Sequence, residues 1–146
     1  MDTQPMEILL VEDNEDDILL EQEALADVKL VNLMSIVRDG EQAMLYLRRQ
    51  GQYQHAKLPG LILLDINMPR KNGFEVLKEI KADPELRHIP VVMLTTSDSE
   101  RDIVKSYAKG ACSFITKPMD FAKFGEIIKQ FALYWALVVR VPSTQR

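Results

Sequence analysis

The chain has 146 residues, of which 47% are hydrophobic and 27% charged, with a formal net charge of -4. That is the length and composition of one globular domain with a real core, and its acidic balance argues against nucleic acid as a direct ligand. No apolar run approaches the roughly 20 residues of a membrane span, no leader-like segment precedes Met6, and the lone Cys112 excludes an internal disulfide, so a cytoplasmic protein is expected.

Met6 to Val11 is an apolar run ending in Glu12-Asp13 and reads as a first buried strand. Asn14 is a good N-cap, and Glu15, Asp16 and Asp17 suit the first turn of a helix whose apolar side is Ile18, Ala24, Leu25 and Val28. Leu33 to Val37 is a second strand, broken by Asp39-Gly40. Ala43, Met44 and Leu47 then recur at helical spacing, giving a helix that ends near Arg49. Gln50 to Gly60 is a polar connection of more than the usual length.

Leu61-Ile62-Leu63-Leu64 is a third strand with the unbroken apolar character of burial on both faces, and it ends at Asp65. Asn72 or Gly73 starts a third helix through Phe74, Val76, Leu77 and Ile80, which must stop before Pro84. Ile89 to Thr95 is the fourth strand, with Pro90 tolerable only at its start or on an unpaired side. Ser97 or Asp98 caps a fourth helix closed by Gly110. Ala111 to Thr116 forms a fifth strand running into Lys117-Pro118, and a last helix begins near Asp120. Cys112 is expected to pack within that strand, and His55 and His88 fall in polar loops with no catalytic role.

Five strand–helix units in succession require a parallel sheet with helices on both faces and right-handed crossovers. Such a sheet gathers the carboxyl ends of its strands on one rim, where ligands bind. The sequence places Glu12 and Asp13 there from strand one, and Asp65 and Asn67 from strand three. Strand four adds Thr95 and Thr96, and strand five Lys117. Each alone reads equally well as a helix-end charge, a turn residue or a strand former. Together they compose a site for Mg²⁺ and a phosphoryl group: carboxylate and carbonyl oxygens suit a hard cation, an aspartate can form an acyl phosphate, and an ammonium and a hydroxyl can hold phosphoryl oxygens.

The ordered set Leu-Val-Glu-Asp-Asn, Leu-Leu-Asp-Ile-Asn-Met-Pro-Arg-Lys-Asn-Gly, Val-Met-Leu-Thr-Thr and Phe-Ile-Thr-Lys-Pro resembles the receiver domain of two-component response regulators over residues 6–132. The resemblance implies a flavodoxin-like α/β fold: a doubly wound five-stranded parallel sheet of order 2-1-3-4-5, with five helices. It implies that Asp65 accepts a phosphoryl group from a sensor histidine kinase, and that Glu12, Asp13, Asp65 and the Asn67 carbonyl hold Mg²⁺. Thr95 and Lys117 would bind the phosphoryl group. Thr95 and Phe114 would switch in concert, and Asn67 and Ser97 would flank the hydrolytic route. The long 50–60 connection and the Phe-Ala-Leu-Tyr-Trp end resemble the stand-alone regulators of bacterial phytochrome kinases, which makes such a kinase a candidate partner.

Three rivals are weighed against this. A phosphatase of the haloacid dehalogenase type wants a second Asp where Asn67 stands. A flavodoxin wants a Ser-, Thr- and Gly-rich phosphate loop where Glu12 to Asp16 stand. A degenerate receiver used only as a binding scaffold would not need the full set of site residues.

Residues 133–146 are expected to extend the last helix as a tail, with no output domain expected. The stripe Phe121, Phe124, Ile127, Ile128, Phe131 and Trp135 packs that helix, but from Phe131 the chain is apolar all round. One face against its own domain cannot hide that. A homodimer through the fourth helix, fifth strand and fifth helix is expected, with Tyr134, Trp135, Leu137 and Val138 as anchors. The competing reading is a tail folded back on its own domain. Truncation after Phe131 is expected to convert a dimer into a monomer on gel filtration; an unchanged dimer would remove those anchors from the interface.

Overall fold

The computed structural model describes residues 6–26, 31–95 and 112–116, together with 122, 123, 126, 129 and 130. Strands β1 (Met6–Val11), β2 (Val31–Val37), β3 (Leu61–Asp65), β4 (Val91–Thr95) and β5 (Cys112–Thr116) form one sheet of order β2-β1-β3-β4-β5. All four neighbouring pairs are parallel. This is the expected strand order. Helices α1 (Glu15–Ala26), α2 (Gly40–Leu47) and α3 (Gly73–Ala82) follow β1, β2 and β3. The predicted fourth helix lies outside the described residues. In the predicted last helix, the described residues 122, 123, 126, 129 and 130 are helical.

The sheet holds its position because the interior of its central strands is apolar. Leu61, Ile62, Leu63 and Leu64 are fully buried, as the unbroken apolar run requires. On one face Leu9, Val11, Ile62, Leu64, Val91 and Met93 pack with Ala43, Met44 and Leu47 of α2 and Val76, Leu77 and Ile80 of α3. Ile8, Leu10, Leu61, Leu63, Val92 and Leu94 alternate with these and are buried as well. On α1 the buried stripe is Ile18, Glu21 and Leu25, so a carboxylate occupies a position that periodicity assigns to an apolar side chain.

The helix starts are set by side chains. Asn14 caps α1, accepting from the Asp17 amide at 2.9 Å, and Asp39 caps α2, accepting from the Gln42 amide at 2.8 Å. At α3 the Asn72 side chain accepts from the Glu75 amide at 3.0 Å while the Glu75 carboxylate accepts from the Asn72 amide at 2.9 Å, a capping box.

Some boundaries differ from the sequence reading. β2 starts two residues earlier, at Val31, and β4 starts at Val91 rather than Ile89. Pro90 therefore precedes the strand, and only its carbonyl is used, accepting from the Ile62 amide at 3.0 Å. α2 ends at Leu47 rather than near Arg49, because Arg49 takes a left-handed φ of 54°. The 50–60 connection contains a 3₁₀ turn, Gly51–Tyr53, anchored by a 2.8 Å hydrogen bond from the Tyr53 hydroxyl to Gln42. Phe74 is only half-buried, and His55 and His88 are exposed.

The α3 cap gives a direct test. Asn72→Ala is expected to lower the unfolding free energy by about 1 kcal/mol and Asn72→Gly by only a few tenths, read from urea denaturation midpoints.

Candidate functional site

The site begins with strand register. Val11 of β1 stands opposite Leu64 of β3, so the next residues along the two strands, Glu12 and Asp65, come side by side. Glu12 is fixed one step beyond β1 because its amide continues the ladder to the Val37 carbonyl at 3.0 Å. Its carboxylate accepts from the Asn14 amide at 3.3 Å. Asp65 is only 3% exposed, and its Oδ1 accepts from the Asn67 amide at 3.4 Å. Glu12 is buried and Asp13 is exposed.

Each of these three residues offers a carboxylate oxygen, and the three oxygens lie within 4.8 Å of one another. Two like unit charges at that separation repel by about 3 kcal/mol at an effective dielectric near 20. Three converging hard oxygen donors, two buried and one open to water, are the donor chemistry of a divalent cation that keeps part of its water shell. The residues present therefore fit such an ion.

The β3–α3 connection closes over the same site. The Gly73 amide donates to the Ile66 carbonyl at 2.8 Å, so the connection returns to its starting point. A Cβ on Gly73 would lie 2.5 Å from the Asp65 carbonyl oxygen and 2.7 Å from the Ile66 Cα. Only glycine lets α3 begin against the backbone of Asp65. Between these ends, Asn67 is exposed, and the tip is a γ-turn in which the Lys71 amide donates to the Pro69 carbonyl at 2.8 Å across Arg70, whose φ is 67°. The tip rests on α2: a Cβ on Gly40 would lie 2.1 Å from the Lys71 carbonyl oxygen. Arg70 stands 3.9 Å from Asp39 and 4.0 Å from Glu41, and the Lys71 ammonium pairs with Glu79.

The structure thus brings Glu12, Asp13, Asp65 and Asn67 together. Thr95 is the last residue of β4, opposite Thr116, at the strand end adjoining Asp65. Phe114 lies in β5 opposite Met93, and Cys112 opens that strand. Lys117, Ser97, Tyr134, Trp135, Leu137 and Val138 lie outside the described residues. Sequence reading took Gly73 as a candidate helix start and Asp39-Gly40 only as a strand breaker, and gave Arg70 no role. The signal for Asp39 was present: an Asp directly before a helical apolar pattern.

Comparison with known proteins adds the following. Residues 8–129 match the family model described as the response regulator receiver domain. Response regulator Rcp1 of Synechocystis sp. strain PCC 6803 is 41% identical over 139 residues, spanning 95% of each chain. The crystal structure of the phosphorylated cyanobacterial phytochrome response regulator RcpA superimposes with a TM-score of 0.76 at 47% identity, covering 90% of this chain and 94% of that one. The Mn²⁺-bound form of Rcp1 superimposes with a TM-score of 0.74 at 40% identity, covering 90% and 95%.

The carboxylate cluster makes a prediction of opposite signs. Asp13→Asn is expected to stabilise the protein in EDTA by roughly 1 kcal/mol, the smaller figure reflecting the exposure of Asp13, and to reduce the stabilisation gained on adding Mg²⁺. Urea midpoints with and without the metal check both.

Proposed function

This chain belongs to the response regulator receiver domain family, and from that premise we propose that it accepts a phosphoryl group on Asp65 in the presence of Mg²⁺. The observation that supports this reading is the carboxylate cluster itself: a nearly buried Asp65 with Glu12 and Asp13 within 4.8 Å, at the carboxyl end of the central strand. An anionic nucleophile beside two further anions does not approach an anionic phosphoryl group without a cation. Mg²⁺ bound by Glu12, Asp13, Asp65 and the Asn67 carbonyl would supply that positive charge and orient the phosphoryl oxygens.

The chain's own residues do the rest. A carboxylate oxygen of Asp65 attacks phosphorus, the bond from phosphorus to the donor's imidazole nitrogen breaks, and the electron pair leaves with the imidazole. The product is an acyl phosphate on Asp65. The 2.8 Å tie between Gly73 and Ile66 holds the backbone that carries Asp65 during this exchange. Thr95 and Lys117 take the phosphoryl oxygens, by their place at the end of β4 and directly after β5 in the sequence. Acyl phosphate formation replaces the single negative charge of the Asp65 carboxylate with about two, and Thr95 and Phe114 respond to the new group as a switch. The phosphodonor is a sensor histidine kinase. The names of RcpA and Rcp1, one of them a phytochrome response regulator solved in phosphorylated form, support a phytochrome-type kinase. Asn67, in place of an Asp, offers no second carboxylate to activate water, which favours a stored phosphate over rapid turnover of phosphate esters.

Incubation with acetyl phosphate and Mg²⁺ followed by intact mass measurement tests this. One phosphoryl group gained only with Mg²⁺, and none by Asp65→Asn, is the expected result. No gain by the parent protein would sink the reading in favour of a binding scaffold, and steady hydrolysis of several phosphate esters would favour a phosphatase.

A further inference from the structure

The reading above asks the Asn67 carbonyl to face a cation, yet Asn67 is an exposed residue on a connection that leaves β3 and returns at Gly73. What holds that connection lies not in the site but at its tip. Arg70 takes a φ of 67°, a region that a residue with a side chain enters only when its surroundings require it. The turn is closed from the Lys71 amide to the Pro69 carbonyl at 2.8 Å.

Three contacts hold this turn, and all are made by residues outside the carboxylate cluster. The Lys71 carbonyl rests directly on Gly40, at a point where no Cβ fits. The Lys71 ammonium pairs with Glu79 of α3. The Arg70 guanidinium stands at 3.9 and 4.0 Å from Asp39 and Glu41. Asp39 is itself immobilised as the α2 cap, with its side chain only 13% exposed. An exposed ion pair holds little by itself. Here it acts on a turn already seated on Gly40, and it opposes the tendency of Arg70 to leave its unfavourable φ.

The geometry points to Arg70, with Gly40 beneath the turn, as a positioning residue for the divalent cation: clamping the β3–α3 tip to the first turn of α2 fixes where the Asn67 carbonyl faces, and so sets Mg²⁺ affinity at the Asp65 site. This inference rests on the proposed phosphoryl-acceptor reading. It runs against simple electrostatics. Removing a cationic side chain near a cation site strengthens cation binding if only the field matters, whereas loss of the clamp weakens it.

Arg38 provides the charge-matched control. It lies just after β2, pairs with Glu15 at the start of α1, and is exposed to a degree similar to Arg70. Titration calorimetry with Mg²⁺ compares the full-length parent, Arg70→Ala and Arg38→Ala. The expected result is severalfold weaker binding for Arg70→Ala and unchanged or tighter binding for Arg38→Ala. The thermal midpoints of the two variants in EDTA should be similar. Phosphoryl gain by Arg70→Ala from acetyl phosphate should recover at saturating Mg²⁺, since the clamp acts on metal affinity and not on Asp65. Gly40→Ala, folded by circular dichroism, should weaken Mg²⁺ binding in the same direction. Arg70→Ala binding Mg²⁺ as tightly as Arg38→Ala overturns the clamp while leaving the acceptor role of Asp65 intact. A parent protein that neither binds Mg²⁺ nor gains a phosphoryl group overturns both.

Discussion

The pairing of β1 with β3 is the constraint on which everything else rests. Val11 opposite Leu64 sets Glu12 and Asp13 beside Asp65. A slip of one residue would exchange the faces to which the β3 side chains point and pull the carboxylates apart. The pairing is held by the backbone ladder and by apolar burial, since Leu9, Leu10, Val11 and Leu61 to Leu64 have essentially no exposed surface. Three like charges are held close by a hydrophobic core that gains nothing from their proximity. Part of the free energy gained by that burial offsets the repulsion among these carboxylates, which a cation would lower.

Much of this was legible because it depends on patterns the chain writes locally. The run Leu61 to Leu64 ending in Asp65 fixed the central strand, and the alternation of strands with helical spacing fixed the sheet as parallel. From a parallel sheet, the convergence of Glu12, Asp13 and Asp65 follows without any knowledge of side-chain positions. The receiver-domain motifs led to the same residues, and the family match over residues 8–129 agrees with that reading.

What escaped the sequence reading depends on close approach between segments distant in the chain. Nothing local to Gly40 marks it as the seat of the Lys71 carbonyl, because that contact exists only once α2 and the β3–α3 connection have packed together. Arg70 has no feature that announces a left-handed φ, and the usual expectation for such a position would be glycine or asparagine. Glu21 breaks the apolar stripe of α1: periodicity places position 21 on the buried face, whereas a carboxylate there reads as exposed. The start of β4 was misplaced because Ile89-Pro90 shares the composition of the strand, while its pairing with β3 begins only at Val91.

The density of the sheet interior also bears on how any signal leaves the site. Leu61 to Leu64 and Val91 to Leu94 are packed on both sides with no slack, so the sheet behaves as an anvil rather than a spring. A change of charge at Asp65 has no compliant path inward. Whatever moves must move among the connections at the strand ends or along the edge strand β5, where Phe114 lies, and a partner that reads the state of Asp65 has to touch that rim or that edge. Stiffness in the middle of the molecule thereby confines information to one edge.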